Sequence, residues 1–231
     1  MFDLFVKVVD GDKQLTTAGT ITLWVLLGLI LVIATMCVQK KGSKEIGTKQ
    51  LVFCGIAMAL ALVTSYIEVF SFPFGGSVTL FSMLFVCMIG YFYGARVSIP
   101  VAIAYGLLQL VIKPYIYHPV QVLFDYPIAF GALGLSGFFS KSKHGLVKGY
   151  IIGIIGRWIF ASVSGVVFFA DYAWEGWNPI PYSLAYNGAY IFTEGIVTII
   201  ILSLPAVAKA IGQIKKMANE QNHSVMLNKQ S

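Results

Sequence analysis

From Val78 to Ile112 the chain reads VTLFSMLFVCMIGYFYGARVSIPVAIAYGLLQLVI, with Arg96 as its only charge. A helix needs roughly 20 mostly apolar residues to cross a bilayer. The stretch is therefore read as two membrane spans, Val78–Ala95 and Val97–Ile112, turning tightly at Arg96. The same pattern extends in both directions. Upstream lie Thr20–Val38, without a charge, and Gln50–Phe72, interrupted only by Glu68. Downstream lie Val120–Ser140 with Asp125, Lys148–Ala170 with Arg157, and Ser183–Val207 with Glu194. The expectation is an all-α, polytopic membrane protein of seven helices. These runs are continuous, whereas a transmembrane barrel has short alternating segments.

Composition agrees. The chain has 231 residues, of which 58% are hydrophobic and 11% charged, with a mean hydropathy of +0.80. A soluble domain carries about 25% charge, so a soluble globule is excluded, as are a disordered chain and a disulfide scaffold. Cys37, Cys54 and Cys87 fall in or at the ends of spans without CxxC spacing, and read as small apolar packers. No metal or cofactor is expected.

Placing the charges sets the topology. Lys40, Lys41, Lys44 and Lys49 lie between spans one and two, Arg96 between three and four, and Lys141, Lys143 and Lys148 between five and six. Lys209, Lys215, Lys216 and Lys229 follow the last span, so 12 of the 16 basic residues share one side. The positive-inside bias makes that side cytoplasmic and places the N-terminus outside. Residues 1–19 are read as an extracellular segment, because Asp3, Asp10 and Asp12 outnumber Lys7 and Lys13 and no cleavage motif follows. Residues 20–39 form a retained extra transmembrane helix, 40–49 a basic cytoplasmic linker, 50–212 the six-helix core and 213–231 a cytoplasmic tail. The basic excess is spread over short loops, which argues against a nucleic-acid surface.

The outer loops are aromatic and rich in Gly and Pro: SFPFGGS at 71–77, KPYIYHP at 113–119 and DYAWEGWNPIPY at 171–182. An interfacial aromatic belt is one reading; their absence from the other face favours a capped, outward-opening pocket. At about 1.5 Å per residue, Asp125 lies roughly 9 Å below the outer end of its helix, and Asn187 lies at a similar depth. Arg157 and Glu194 are near the midplane, where opposite charges at matched depth read as a structural ion pair. That pairing would leave Asp125 to meet a cationic ligand; the alternative is that Asp125 itself pairs with Arg157.

An intramembrane serine hydrolase is the enzymatic alternative. Gly134-Leu-Ser-Gly137 offers Ser136, but a Ser nucleophile needs a base, and His118, His144 and His223 all lie outside the helices. Small residues at 131, 134 and 137 read instead as a packing face, as do Gly149 and Gly153. No zinc-protease motif, nucleophile elbow or phosphate loop occurs, so the chain is read as no enzyme and cannot drive uptake with ATP itself.

Several runs are more specific: HPVQVLFDYPIAF at 118–130, GGSVTLFSM at 75–83, YSLAYN at 182–187, and Arg157 followed by Ser164-Gly165, Phe168-Phe169 and Tyr172-Ala173. In order and spacing they resemble the thiamine-specific S components of energy-coupling factor (ECF) transporters over about residues 50–212. The resemblance implies a six-helix S-component core, with the first span as an addition. It implies a thiamine-binding membrane subunit working with a transmembrane coupling protein and two cytoplasmic ATPases. It implies that Ala57 and Ala61 match the Ala-x-x-x-Ala that packs on the coupling protein, and that Phe74 to Ser77 match the loop that covers the vitamin.

The side chains at the matching positions suit the ligand. Asp125 would oppose the thiazolium. Phe74, Tyr115, Tyr126 and Phe169 would wall the rings. Tyr182 and Asn187 would meet the pyrimidine edge, and Gly76 and Gly165 would leave room beside the backbone. The chain also departs from the family. Ala161 stands where many members have His, Phe169 where many have Trp, Asp125 where some have Glu, and Trp174 where Pro is common. A thiamine precursor or another cationic heterocycle is therefore carried as the alternative cargo.

Overall fold

A computed structural model describes residues 6–9, 12–18, 21, 25 and 47–220, with backbone alone at 6–9, 12–15 and 74. Apart from Ile21 and Val25, the extra helix expected at 20–39, with Cys37, lies outside the described residues, as do most of the 40–49 linker and the tail beyond Glu220. Near the start, β1 (Val6–Val9) pairs antiparallel with β2 (Asp12–Leu15), Val6 facing Leu15.

The core begins with α1 (Thr48–Ser65). Its C-terminal turn competes with itself: Thr64 Oγ1 donates to Leu60 O at 2.7 Å and Ser65 Oγ to Leu62 O at 2.7 Å. Such back-bonding weakens a helix end, and the β-branched and aromatic residues that follow favour strand. The span expected to reach Phe72 therefore ends at Ser65. Residues beyond it form a hairpin of β3 (Glu68–Ser71) and β4 (Ser77–Thr79), with a 3-10 turn at Pro73–Gly75 between them. Glu68 is thus in the hairpin rather than inside a helix.

The next helix, α2 (Ser82–Tyr93), has 12 residues, about 18 Å. The hairpin takes the outer part of the span expected from Val78, and α2 alone does not reach across about 30 Å of hydrocarbon. Gly94, at φ 83°, makes the expected tight turn into α3 (Ala95–Ile112). Next come α4 (Pro119–Phe139), α5 (Gly145–Phe168) and α6 (Pro179–Leu202). With α1 and α3, these make five helices long and apolar enough to cross a membrane among the described residues. Pro205 then starts a separate helix, α7 (Pro205–Asn219), where the sequence was read as continuing the last span to Val207. α7 carries Lys209, Lys215 and Lys216, and Lys215 Nζ donates to Ser140 O at the end of α4.

α4 is the centre of the bundle and touches α2, α3 and α5. Small residues make that possible. A methyl group at Gly134 would lie 2.5 Å from Ile99 Cα, and one at Gly149 2.6 Å from Ser136 O. Ser136 is buried and donates to Cys87 O at 3.2 Å, so its hydroxyl serves the helix contact. Met83, Val86, Tyr105, Leu133, Tyr150 and Ile191 fill the core.

The burial of α1 corrects one expectation. Ala57 and Ala61 are 8% and 0% exposed and pack inside the bundle, with Ala61 O accepting from Tyr105 OH at 3.1 Å. They do not present a face to a coupling protein. The exposed face carries Leu51, Val52, Gly55, Ile56, Ala59, Leu60 and Val63. An Ala-rich helix offers several small pairs one turn apart, and only packing selects the outward one.

Candidate functional site: a polar cavity under the hairpin

A cavity of about 210 Å³ opens at the hairpin end of the bundle. The opposite end bears Arg96, Lys141, Lys143 and Lys148 on its turns, together with α7. Of the nine expected ligand-binding residues, Gly76, Tyr115, Asp125, Tyr126, Gly165, Phe169, Tyr182 and Asn187 line the cavity. The Phe74 side chain lies outside the described residues.

Asp125 is placed by an irregularity in α4. Pro127 has no N–H and its ring displaces a preceding carbonyl, and residues Phe124–Ile128 widen into a π-turn. Such turns commonly mark functional positions. Asp125 Oδ2 accepts from Gln121 Nε2 at 2.5 Å. Gln121 is fully buried and also ties the preceding loop, donating to Tyr115 O at 3.1 Å and accepting from Tyr117 N at 3.0 Å. Tyr126 does similar work: its hydroxyl accepts from Tyr115 N and donates to Lys113 O, each at 2.8 Å. Tyr126 is therefore as much a loop anchor as a wall. Tyr115 meets Phe169 with ring centroids 5.8 Å apart, and burial pushes its phenol up to about 12.

From α5, Arg157, Ala161 and Gly165 face the cavity at four-residue intervals. The space beside Gly165 is filled by α6: a methyl there would lie 3.1 Å from Ser183 Cβ and 3.2 Å from Asn187 Nδ2. Gly165 thus permits close helix packing, and it also lines the cavity. From α6 come Tyr182, Tyr186, Tyr190 and Glu194, again every fourth residue. Asn187 Nδ2 donates to Ser183 O at 3.0 Å, and its Oδ1 accepts from Tyr190 OH at 2.7 Å.

The expected Arg157–Glu194 ion pair is not formed. Glu194 Oε2 accepts from Thr79 N at 3.0 Å and Thr79 Oγ1 at 2.6 Å, and Oε1 from Met83 N at 3.2 Å. Arg157 lies over the Phe130 ring, 4.1 Å from its centroid. Equal depth did not imply contact. The unpaired N–H groups at the start of α2 offer Glu194 directed, charge-assisted bonds, and an aromatic face offers Arg157 its own attraction. Both residues line the cavity. The one ion pair among the described residues joins Lys113 to Glu68, and Asp125 has no cationic partner there.

The hairpin roofs this space. Gly76 N donates to Tyr186 OH at 3.4 Å, and Phe72 packs edge-on against Tyr186 at 6.0 Å. A methyl at Gly76 would lie 2.7 Å from the Tyr190 ring.

A family model described as thiamine transporter protein (Thia_YuaJ) matches residues 51–213. The chain belongs to this thiamine transporter family. It is 34% identical over 148 residues to the thiamine transporter ThiT of Bacillus subtilis (strain 168), covering 58% of this chain and 77% of that one. To the ThiT of Lacticaseibacillus paracasei it is 31% identical over 117 residues, covering 43% and 58%. A solved structure of ThiT from Listeria monocytogenes superposes with a TM-score of 0.55 at 29% identity, over 66% of this chain and 92% of that chain. The chain is thus a multi-pass membrane protein of a transporter family rather than an enzyme.

Within this thiamine transporter family member, sequence reading missed Lys113, Gln109, Tyr172, Ser183, Tyr186 and Tyr190 as cavity residues. For the two α6 tyrosines a signal existed. Tyr182, Tyr186, Tyr190 and Glu194 form a polar stripe at helical spacing on an otherwise apolar span. For Gln109 and Lys113 none did, since only packing turns the end of α3 toward α4.

Proposed function

We propose that this chain is the thiamine-binding S component of an ECF-type importer, taking thiamine from outside and delivering it with an ATP-driven coupling module. The observation that carries this is Asp125: a carboxylate on a cavity wall in the membrane, hydrogen-bonded to Gln121 but to no cation. A buried carboxylate without an ion pair is costly; Arg157 attracts it across the cavity without pairing, and a thiazolium in contact would offset it. Lys113 is bonded to Glu68, and Glu194 to Thr79 and Met83, so Asp125 is the wall carboxylate left to meet a cation. Tyr115, Phe169, Tyr182 and Tyr186 supply aromatic faces for two heterocycles and a cation. The positive-inside bias of the basic loops supports a cavity mouth outside and α7 in the cytoplasm.

Purified protein should quench its Trp fluorescence on adding thiamine, with no ATP present. Absence of saturable quenching and of radiolabelled thiamine binding would sink the proposal. A second cargo is favoured by one feature. Ala161 lines the cavity where many family members place His, which removes a ring from the wall. Competition among thiamine, its phosphates and its isolated pyrimidine decides between the two.

The coupling surface is the exposed face of α1. Gly55 and Ala59 sit one turn apart on it, and a methyl at Gly55 would meet nothing within 4 Å. This pair takes the role first given to Ala57 and Ala61. Small pairs let membrane helices approach closely, as docking on a transmembrane partner requires.

A further inference from the structure

The face of α6 that lines the cavity is also the seat of the hairpin. Phe72 rests on Tyr186 and Tyr190, and Gly76 N reaches Tyr186 OH. The strongest attachment lies deeper. Glu194, 3% exposed, receives hydrogen bonds from Thr79 N, Thr79 Oγ1 and Met83 N. Thr79 is the last residue of β4 and Met83 the second residue of α2. Glu194 therefore grips the junction where the hairpin becomes a helix.

That junction has a Thr79–Ser82 hydroxyl bond of 2.6 Å but no side-chain cap of its own. The N-cap position of α2 is Phe81, whose side chain makes no capping bond and whose φ is 63°. A bulky residue in the left-handed region is strained. It sits between the two residues that Glu194 holds. A carboxylate from a distant helix thus serves as the missing N-cap, facing the positive end of the α2 dipole. The same carboxylate lines the ligand cavity.

We infer that Glu194 is a positioning residue for ligand retention: by fixing Thr79 and Met83 it holds the hairpin over the cavity and slows escape of the bound molecule. This rests on the reading of the cavity as the thiamine site. Loss of Glu194 frees the root of the roof while Asp125 and the aromatic walls remain, so the effect falls on dissociation. Differences of this kind mostly appear in the off-rate.

The test uses the full chain in nanodiscs, with Glu194→Ala, Glu194→Gln, Thr79→Val and the double variant Glu194→Ala/Thr79→Val. Stopped-flow Trp fluorescence gives thiamine on- and off-rates, and hydrogen exchange without ligand reports on residues 77–79. Glu194→Ala should raise the off-rate roughly tenfold or more, as expected for removing charge-assisted bonds, and move the on-rate less than about threefold. Glu194→Gln, which keeps one acceptor oxygen, should fall between it and the parent. The double variant should release thiamine little faster than Glu194→Ala, since the Thr79 hydroxyl bond is one of the three that Glu194 makes. Amides at 77–79 should exchange faster in Glu194→Ala. A lowered melting temperature with unchanged off-rate would reduce Glu194 to a helix cap and overturn the inference. Additive off-rates, or unchanged exchange at 77–79, would also overturn it. If the parent chain binds no thiamine, the proposed ligand fails, and the exchange measurement still decides whether Glu194 holds the hairpin.

Discussion

Asp125 and Glu194 are both carboxylates on the wall of one cavity, and their neighbours give them different work. Gln121 orients Asp125 and leaves it without a cation, whereas Glu194 is committed to Thr79 and Met83. Asp125→Asn keeps the shape and removes the charge. It should weaken thiamine binding roughly 10- to 100-fold, in line with a charged contact, while the melting temperature stays near that of the parent. A fluorescence titration checks this, and an unchanged affinity would remove Asp125 from the site. Glu68 allows a pH prediction. Its hydrogen bonds from Lys113 and then Ser71 hold its carboxyl below the ordinary range. A depressed folded-state value means that this contribution to hairpin stability is complete above the unfolded value of about 4.3 and drains away as pH falls through the folded one. Protection of the hairpin amides relative to their intrinsic exchange rates should therefore fall on acidification below about pH 4, and Lys113→Met should flatten that dependence. The charges themselves were legible in the chain; their partners were not, because two residues at one membrane depth can face different neighbours.

The elements depart from simple spans where the site is built. α1 stops at Ser65, α2 begins only at Ser82, and the fifteen or so residues between them roof the cavity. Gly76 is where roof and α6 come closest. Gly76→Ala would set a methyl 2.7 Å from the Tyr190 ring. Because Tyr190 is bonded to Asn187, the hairpin should lift rather than the ring swing. Thiamine affinity should fall at least severalfold with little loss of thermal stability, measurable in one titration and one melting curve. Gly134 sits at a tight crossing of α4, with Ile99 backbone atoms 2.5 to 2.7 Å from an added methyl. Gly134→Val should force α3 and α4 apart and destabilise the protein by about 1–3 kcal/mol, lowering the melting temperature with or without ligand. Among the described residues the hydropathy pattern located the helices to within about five residues, except that the first core span ends at Ser65 rather than Phe72. It missed the hairpin and the break at Pro205 because apolar strand formers and a single Pro both read as continuing span.

Across the whole molecule, α1 presents one face to the bundle and the other outward. Gly55→Trp should leave thiamine binding intact and block uptake in cells that supply the coupling module. Ala61→Trp, at a site with no exposure, should disrupt folding and lose both. Equal behaviour of the two variants would refute the assignment of the exposed face. Chain composition alone determined that this is a polytopic helical membrane protein, because bilayer transfer free energy depends on run length and charge count, which are sums along the sequence. The spacing of the 118–130 and 182–187 runs carried the family, and the resemblance placed eight expected residues on the cavity wall. Only the tertiary structure decided that Arg157 and Glu194 do not pair, that Gly165 serves helix packing, and that Gly55 and Ala59 face outward. Those outcomes depend on which groups meet across helices, and a contact between distant segments is set by packing geometry that no local window of sequence contains.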